Sequence, residues 1–211
     1  MKKKKMQTVK EIIEELVSGD LEKGHEVLVN NHKISLGYDY SCDNPLVDWD
    51  CMPHFLNLSK KYDLGDSHID SKSGETFYIP DDFDSPDDIE AFLDKNDYVY
   101  FRVYATVHGG ITLCPAYLDR FDSGTFGFLY ISKQELREWG CVKKLSKKII
   151  SETEQLFEEF AKNTLENYLN GDVYHLQIDD ESYNCYGYDD VKSILENKLH
   201  SILPIHSHNP Y

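Results

Sequence analysis

The sequence predicts an α+β fold, in which an N-terminal, a long central and a C-terminal helix pack on a mostly antiparallel sheet. Two long runs of aromatic and β-branched residues, Tyr98–Val107 and residues 125–131, are typical of strands. Apolar residues recur at helical spacing near both ends of the chain and over residues 146–169. The predicted strands cluster between helices without strict alternation, which favours antiparallel pairing over βαβ units.

The first helix and the first hairpin are predicted from local signals. Thr8 forms a capping box with Glu11 ahead of an apolar helix face. Residues 26–29 and 33–38 have strand character, and Asn30-Asn31 between them suits a tight turn because asparagine tolerates positive φ. Residues 54–58 are predicted to form a short strand, and residues 66–74 a polar loop.

Serine and proline signals mark the helices of the middle region. Ser85 is placed as an N-cap with Pro86 at the first helical position, ahead of an acidic first turn. After the two long strands, Ser132 and Glu135 form a second capping box that begins a short helix.

The C-terminal third predicts a long helix, two strands and a final helix. The long helix of residues 146–169 ends at Gly171, which suits a left-handed C-terminal position. Residues 173–178 and 183–188 are predicted strands, and Asp189 is placed as the cap of the last helix.

The chain is expected to form a single domain over residues 8–203, between a basic tail of residues 1–7 and a C-terminal tail of residues 204–211. No stretch approaches the roughly 20 apolar residues of a membrane span, and no apolar core of a signal peptide follows the lysines at 2–5. The 5 cysteines form no CxxC pair, which suggests reduced thiols. These features predict a cytoplasmic protein without membrane contact.

The chain carries 38 Asp and Glu against 22 Lys and Arg, a formal charge of −16. That charge repels nucleic acid and favours a protein partner with a basic surface, although acidity also serves solubility. The most acidic segment comprises residues 81–97, and it contains no Lys or Arg before Lys95. The negative charge of its carboxylates is therefore expected to lack a nearby positive charge. The candidate partner-binding residues are Asp81, Asp82, Asp84, Asp87, Asp88, Glu90, Asp94, Glu152 and Glu154.

A candidate catalytic group lies between the two long strands. His108-Gly109-Gly110 follows the first, and Asp122-Ser123-Gly124 precedes the second. If these strands are neighbours, His108 and Asp122 could form an oriented general base with Ser123 as a hydroxyl. The alternative is that both tripeptides are turns, because Asp and Gly favour such bends.

Metal and cofactor signals are weak. Among Cys51, His54 and His68, only the first two have a spacing that zinc sites use. No GxGxxG, Walker loop or HExxH occurs. We therefore predict neither a metal nor a cofactor.

Six short motifs occur in order along most of the chain, and together they resemble a family of small proteins of bacteriophages and bacterial mobile elements. The resemblance implies a phage or mobile-element origin and a bacterial host cell, and it implies no particular activity. The motifs are Asn44-Pro45 with Trp49-Asp50, Tyr62-Asp63-Leu64-Gly65-Asp66, His108-Gly109-Gly110-Ile111-Thr112, Asp122-Ser123-Gly124-x-x-Gly127-Phe128-x-Tyr130, Tyr168-Leu169-x-Gly171-x-Val173-Tyr174 and Cys185-Tyr186-Gly187-Tyr188.

Together, acidity and resemblance favour a binding protein over an enzyme. The expected function is an acidic inhibitor that occupies the basic, nucleic-acid-handling surface of a host defence complex, such as a CRISPR effector or another defence nuclease (anti-CRISPR or anti-restriction type). The alternative is an enzyme that processes a small molecule or nucleotide with His108, Asp122 and Ser123.

Overall fold

The computed structural model describes residues 8–49, 53–62, 64–71, 76–117 and 123–202, with side chains described up to residue 199. The helices are α1 Val9–Val17, α2 Pro86–Lys95, α3 Lys133–Trp139, α4 Lys147–Phe160, α5 Glu166–Asn170 and α6 Tyr188–Ile202. The strands are β1 His25–Val29, β2 His32–Tyr38, β3 His54–Asn57, β4 Ile69–Asp70, β5 Phe77–Tyr78, β6 Tyr98–Val107, β7 Ile111–Cys114, β8 Ser123–Ser132, β9 Val173–Ile178 and β10 Glu181–Tyr186. All the ladders between these strands are antiparallel, which confirms the predicted α+β class.

Two compact units divide the chain. The first joins residues 1–42 with residues 171–211, and the second comprises residues 43–170. Each unit has its own four-stranded sheet, ordered β1-β2-β9-β10 in the first and β3-β8-β6-β7 in the second. The strands therefore form two main sheets where the sequence suggested one. That residues 8–203 fold as a single domain stays a prediction.

In the first unit, the N-terminal and C-terminal helices cover one sheet. The hairpin of β1 and β2 turns through Asn30 and Asn31 at φ 49° and 70°, as predicted from their tolerance of positive φ. Ile12 and Leu16 of α1 and Leu195 of α6 are fully buried in one apolar cluster with the inward residues of the strands. Burial of these helix faces is the main stabilisation of the unit.

In the second unit, the two long strands are neighbours in the sheet, as the predicted grouping of His108 with Asp122 requires. β6 and β8 run side by side over their full length, with Tyr100 opposite Tyr130. One face of this sheet packs through Val99 and Val103 against the helix side that buries Phe157 of α4. The other face buries Phe128 against α2. The sheet thus lies between two helices.

The predicted caps are present. Thr8 and Ser132 form capping boxes with Glu11 and Glu135, and the Ser85 hydroxyl accepts from the Asp88 N–H. The long predicted helix is also present, and a π-helical turn, Ala161–Leu165, joins α4 to α5 within it. Such turns are rare and concentrate at functional sites.

Three local predictions need correction. Residues 66–74 were predicted as a polar loop, but they contain strand β4. Ile69 of this strand is fully buried and lies opposite Tyr78 of β5. The last helix begins at Tyr188, one residue before Asp189, and the Asp190 carboxylate accepts from the Tyr186 N–H at 3.0 Å. Strand β7, four residues long, was not predicted.

Candidate functional site

An open groove of about 420 Å³ lies between α2 and α4. It runs along the edge of β6 that faces away from β8, beside the part of that edge that the short strand β7 does not cover. We call it the acidic groove. It is lined by Glu90 of α2, by Tyr100, Phe101, Arg102 and Tyr104 of β6, by Pro115, and by Ser151, Glu154, Gln155 and Glu158 of α4.

Helix geometry explains how the glutamates reach the acidic groove. Glu154 and Glu158 are one turn apart on α4, so they share one face, while Thr153 and Phe157 are buried on the face that meets the sheet. Glu90 follows the buried Ile89 on α2 in the same way. The two acidic segments identified in the sequence therefore face each other across the edge of β6.

The Tyr100 phenol reports on the electrostatics of the acidic groove. Partial burial raises its pKa to about 12, and the nearby carboxylates of Asp94, Glu90 and Glu154 add to the rise. Helix α2 supplies two of these carboxylates and α4 the third. Negative charge from both walls thus acts on one side chain.

Arg102 corrects the expectation that the acidic segment lacks compensation. Its Nη1 lies 2.6 Å from Asp87 Oδ1 and 2.9 Å from Glu90 Oε2. Its guanidinium also donates to the Thr125 hydroxyl and lies 5.0 Å from the centre of the Tyr104 ring. Asp87 and Glu90 are therefore held in place by a half-buried cation that lies 15 and 12 residues further along the chain.

Other predicted partner-binding residues have structural contacts. Asp88 accepts from the Ser85 hydroxyl at 2.7 Å, and Asp82 accepts from the Ile79 N–H at 2.8 Å. Glu152 lies 3.6 Å from Lys148, one turn earlier on α4. Asp81 and Asp84 are exposed and do not line the acidic groove. From the predicted set, Glu90 and Glu154 line the groove, and Asp94 lies beside it near the Tyr100 phenol.

A smaller pocket of about 230 Å³ adjoins the acidic groove and shares Phe101, Pro115 and Glu158 with it. Its walls include the apolar side chains of Leu113 and Ala161, and Ala161 belongs to the π-helical turn. We call it the apolar pocket.

The predicted catalytic group is only partly within the described residues. His108 is exposed in the turn between β6 and β7, where its N–H donates to the Gly110 carbonyl at 3.0 Å. Ser123 is 8% exposed, and its hydroxyl lies 2.7 Å from that of Thr106. Asp122 lies outside the described residues. Both described residues occupy the same end of the sheet, and the reaction assigned to them stays a prediction.

A second cluster of ionisable groups lies around His54, which the sequence offered as a metal ligand. Its ring nitrogens are 3.3 Å from Asp66 Oδ2 and 3.4 Å from Glu135 Oε1, and its ring stacks on Tyr130. The hydrogen bond to Asp66 raises the pKa of His54, although burial opposes the rise. Burial also opposes ionisation of Asp66, but hydrogen bonds from His54 and Tyr130 hold the pKa of that carboxyl below its usual range.

Several motif residues have structural roles. The Tyr130 hydroxyl donates to Asp66 Oδ2 at 3.1 Å, which joins two of the six motifs. A Cβ on Gly65 would lie 2.4 Å from the Phe55 carbonyl oxygen, and one on Gly127 would lie 2.5 Å from that of Leu56. These glycines permit close approach of neighbouring backbones.

Within the described residues, no three His, Cys, Asp or Glu side chains come together to hold a metal ion. Cys51 of the suggested metal group is not among the residues described. No helix in the described part of the chain is long and apolar enough to cross a membrane.

Sequence reasoning missed Arg102, Tyr100 and Tyr104 as site residues. Their even spacing in a strand places them on one face of the sheet, which is a signal that the sequence does contain. What it does not contain is that α2 and α4 flank that strand on opposite faces.

The fold and the groove define a class: an α+β protein with a negatively charged groove beside an exposed strand edge. Comparison of the chain with models of known families, with curated proteins and with solved structures finds no match. The resemblance to phage and mobile-element proteins stays a prediction.

Proposed function

We propose that the protein binds a basic protein partner through the acidic groove. One observation carries this proposal: carboxylates from two segments about 60 residues apart in the sequence meet around Tyr100. Among the described residues, no ion pair within 4.0 Å engages Asp94, Glu154 or Glu158. Uncompensated like charges oppose folding, so a cluster of them is more readily explained by a partner than by stability.

The side chains of the acidic groove suit lysine and arginine. Carboxylates on both walls offer charge-assisted hydrogen bonds, and the ring of Tyr100 offers a face for cation–π contact like the one that Arg102 makes with Tyr104. Arg102 fixes the position of Glu90, so part of the groove is ordered before a partner arrives.

The partner that fits this charge pattern is a surface built to hold nucleic acid, because such surfaces present spaced cations. We propose an inhibitor of a defence nuclease, of the anti-CRISPR or anti-restriction type, acting in a bacterial host cell. Support comes from the net charge of −16 and the motif resemblance.

The test is capture from a bacterial lysate that carries defence systems, followed by nucleic-acid binding of the captured nuclease. A Glu154→Lys/Glu158→Lys variant reverses two charges that line the acidic groove. Glu152→Lys/Glu159→Lys makes the same net change on the opposite side of α4, since about 100° separates successive helix residues. We expect the Glu152→Lys/Glu159→Lys variant to capture a nuclease and to prevent that nuclease from binding nucleic acid. The Glu154→Lys/Glu158→Lys variant should do neither. Equal capture by both variants would refute the proposal.

A further inference from the structure

Strand β6 has an outer edge that is open over part of its length. β8 pairs with one edge from Tyr98 to Thr106, and β7 covers the other edge from Tyr104 to Val107. Within the described part of the chain, no strand pairs with the outer edge from Tyr98 to Val103. Tyr100, Phe101 and Arg102 of this open stretch line the acidic groove.

The hydrogen bonds of the neighbouring strands show which backbone groups face the open edge. Ile111 and Leu113 of β7 direct their N–H groups away from β6, to Asn170 and Glu166. Thr112 and Cys114 therefore face β6 and bond to their partners Thr106 and Tyr104. By strand alternation, the N–H and C=O groups of Tyr98, Tyr100 and Arg102 point to the same side, which is the open edge.

The fold closes one part of this sheet edge and leaves the other part open. Side chains of α5 bond the N–H and C=O of Ile111 and the N–H of Leu113 on the outward edge of β7, whereas carboxylates lie beside the same edge of β6. Proteins commonly protect exposed strand edges against unwanted pairing, and charged side chains are one means. Here the charge selects a partner of opposite sign.

We propose that the partner adds a strand to this edge: an extended basic segment pairs with Tyr98, Tyr100 and Arg102 of β6 and continues the line of β7. This inference rests on the proposed function, because it states how the basic partner binds. Side chains of an added strand alternate between the two faces. Those on one face meet Glu90 and Asp94, and those on the other meet Glu154 and Glu158.

Two features of the site support an extended segment. Carboxylates one helical turn apart are separated by about 6 Å along the axis, which is comparable with the roughly 7 Å repeat of side chains on one face of a strand. The apolar pocket lies at the β7 end of the groove, where Pro115 turns the chain away. An apolar residue of the segment would anchor there and fix its register.

A second copy of this chain is the competing occupant, because open edges also pair with each other. Such a dimer would bring two sets of these carboxylates together, and like charges across an interface are unfavourable. A basic segment is therefore the occupant that the charges favour.

The probe is a fluorescein-labelled peptide of eight residues, with two central valines flanked by three lysines on each side, so that lysines project to both faces of the added strand. Its counterpart is N-methylated at the four central amides, which keeps the charge and removes the backbone donors. Both are titrated against the full chain by fluorescence polarisation at low ionic strength. We expect the methylated peptide to bind at least about tenfold more weakly, because the central amides that face β6 can no longer donate hydrogen bonds. Equal affinity would overturn strand addition while leaving a charge-based groove intact.

The strand edge is tested with a matched pair of variants. Tyr100→Val removes the phenol but keeps the outward N–H, and Tyr100→Pro also removes the N–H that an edge strand can spare. Tyr100→Pro should bind the unmethylated peptide about tenfold more weakly than Tyr100→Val. If Tyr100→Pro does not fold, the comparison of the two peptides on the unchanged chain tests strand addition by itself.

Two further outcomes would overturn the inference. One is no binding of either peptide to the unchanged chain; the lysate capture then decides the proposed function separately. The other is a dimer of this chain that dissociates as the peptide binds, which would assign the edge to a second copy.

Discussion

The side-chain amide of Asn170 bonds both backbone groups of Ile111: its Oδ1 accepts from the N–H at 2.9 Å, and its Nδ2 donates to the C=O at 2.7 Å. The amide thereby replaces the backbone of a neighbouring strand. Glu166 Oε2 extends the arrangement by accepting from the Leu113 N–H at 2.7 Å. Helix α5 closes the edge of β7 in this way, while the adjoining edge of β6 stays open.

Asn170→Ala should lower the free energy of unfolding by about 2 kcal/mol, because it removes both partners of Ile111. Urea unfolding followed by circular dichroism measures the change. The matched control is Asn167→Ala, whose amide donates within the same helical run to Asn163. A loss no greater than that of the control would show that the Asn170 bonds do not stabilise β7.

The hairpin glycines should respond to substitution for different reasons. Gly109 has φ 75° with open space around its Cβ position, so Gly109→Ala should cost about 1 kcal/mol through backbone strain.

Gly110 does not have positive φ, but a Cβ there would lie 3.0 Å from Asn170 Oδ1. Gly110→Val should therefore cost less in an Asn170→Ala background than in the unchanged chain. Additive costs in this double-mutant cycle would refute the contact.

Arg102→Gln should destabilise the protein by about 1 kcal/mol, mainly because it leaves Glu90 without its charge-assisted hydrogen bond. The side chains of Arg102 and Glu90 are 16% and 33% exposed, so solvent screens their pair weakly, whereas Asp87 is 81% exposed and its pair contributes little. Chemical denaturation with Arg137→Gln on α3 as the control tests this. Equal stability of the two variants would mean that the Arg102 cluster is not structural.

The His54 cluster should make stability depend on pH. The pKa of His54 is raised, so its contribution is complete below the unfolded value of about 6.5 and is lost as pH rises through the folded pKa. The pKa values of Asp66 and Glu135 are lowered, so their contribution is present above about 4 and is lost as pH falls further. Stability from this cluster should be greatest between about pH 4.5 and 6.5.

Melting temperatures across this pH range, measured for the parent and for His54→Gln, test the assignment. The variant should show a flatter profile above pH about 6.5. The effect should stay below about 1 kcal/mol because His54 is 47% exposed. His175→Gln, on the exposed side of β9, is the control for the loss of a histidine outside this cluster. A parent profile that is flat above that pH would contradict the assignment.

Elements marked by local signals were predicted well, and contacts between distant residues were not. Ser85, Ser132 and Asn30 act within a few residues of their own position, so their roles are legible in the sequence. Pairing of Ile34 with Ile178 joins residues 144 apart, and no local pattern specifies it. Strand β7 was missed because four residues are too few to show a period.

The negative charge of the candidate site was predicted from the sequence, but the groove that gathers this charge was not. The acidity of α2 and α4 is evident from composition, but Arg102 lies in a strand that local patterns cannot align with Asp87. The edge of β6 is open because β6 has 10 residues and β7 has 4, so β7 covers only part of it. This difference is seen only when the pairing of the two strands is known.

The most direct test of the acidic groove is the association rate of the captured basic partner, measured as a function of salt. We expect the unchanged chain and Glu152→Lys/Glu159→Lys to associate at similar rates. These rates should fall steeply as salt shortens the electrostatic reach to about 8 Å near physiological ionic strength. Glu154→Lys/Glu158→Lys should associate at least about tenfold more slowly and with a shallower salt dependence. If both double variants slow association equally, net charge rather than the acidic groove governs binding, and the central claim is wrong.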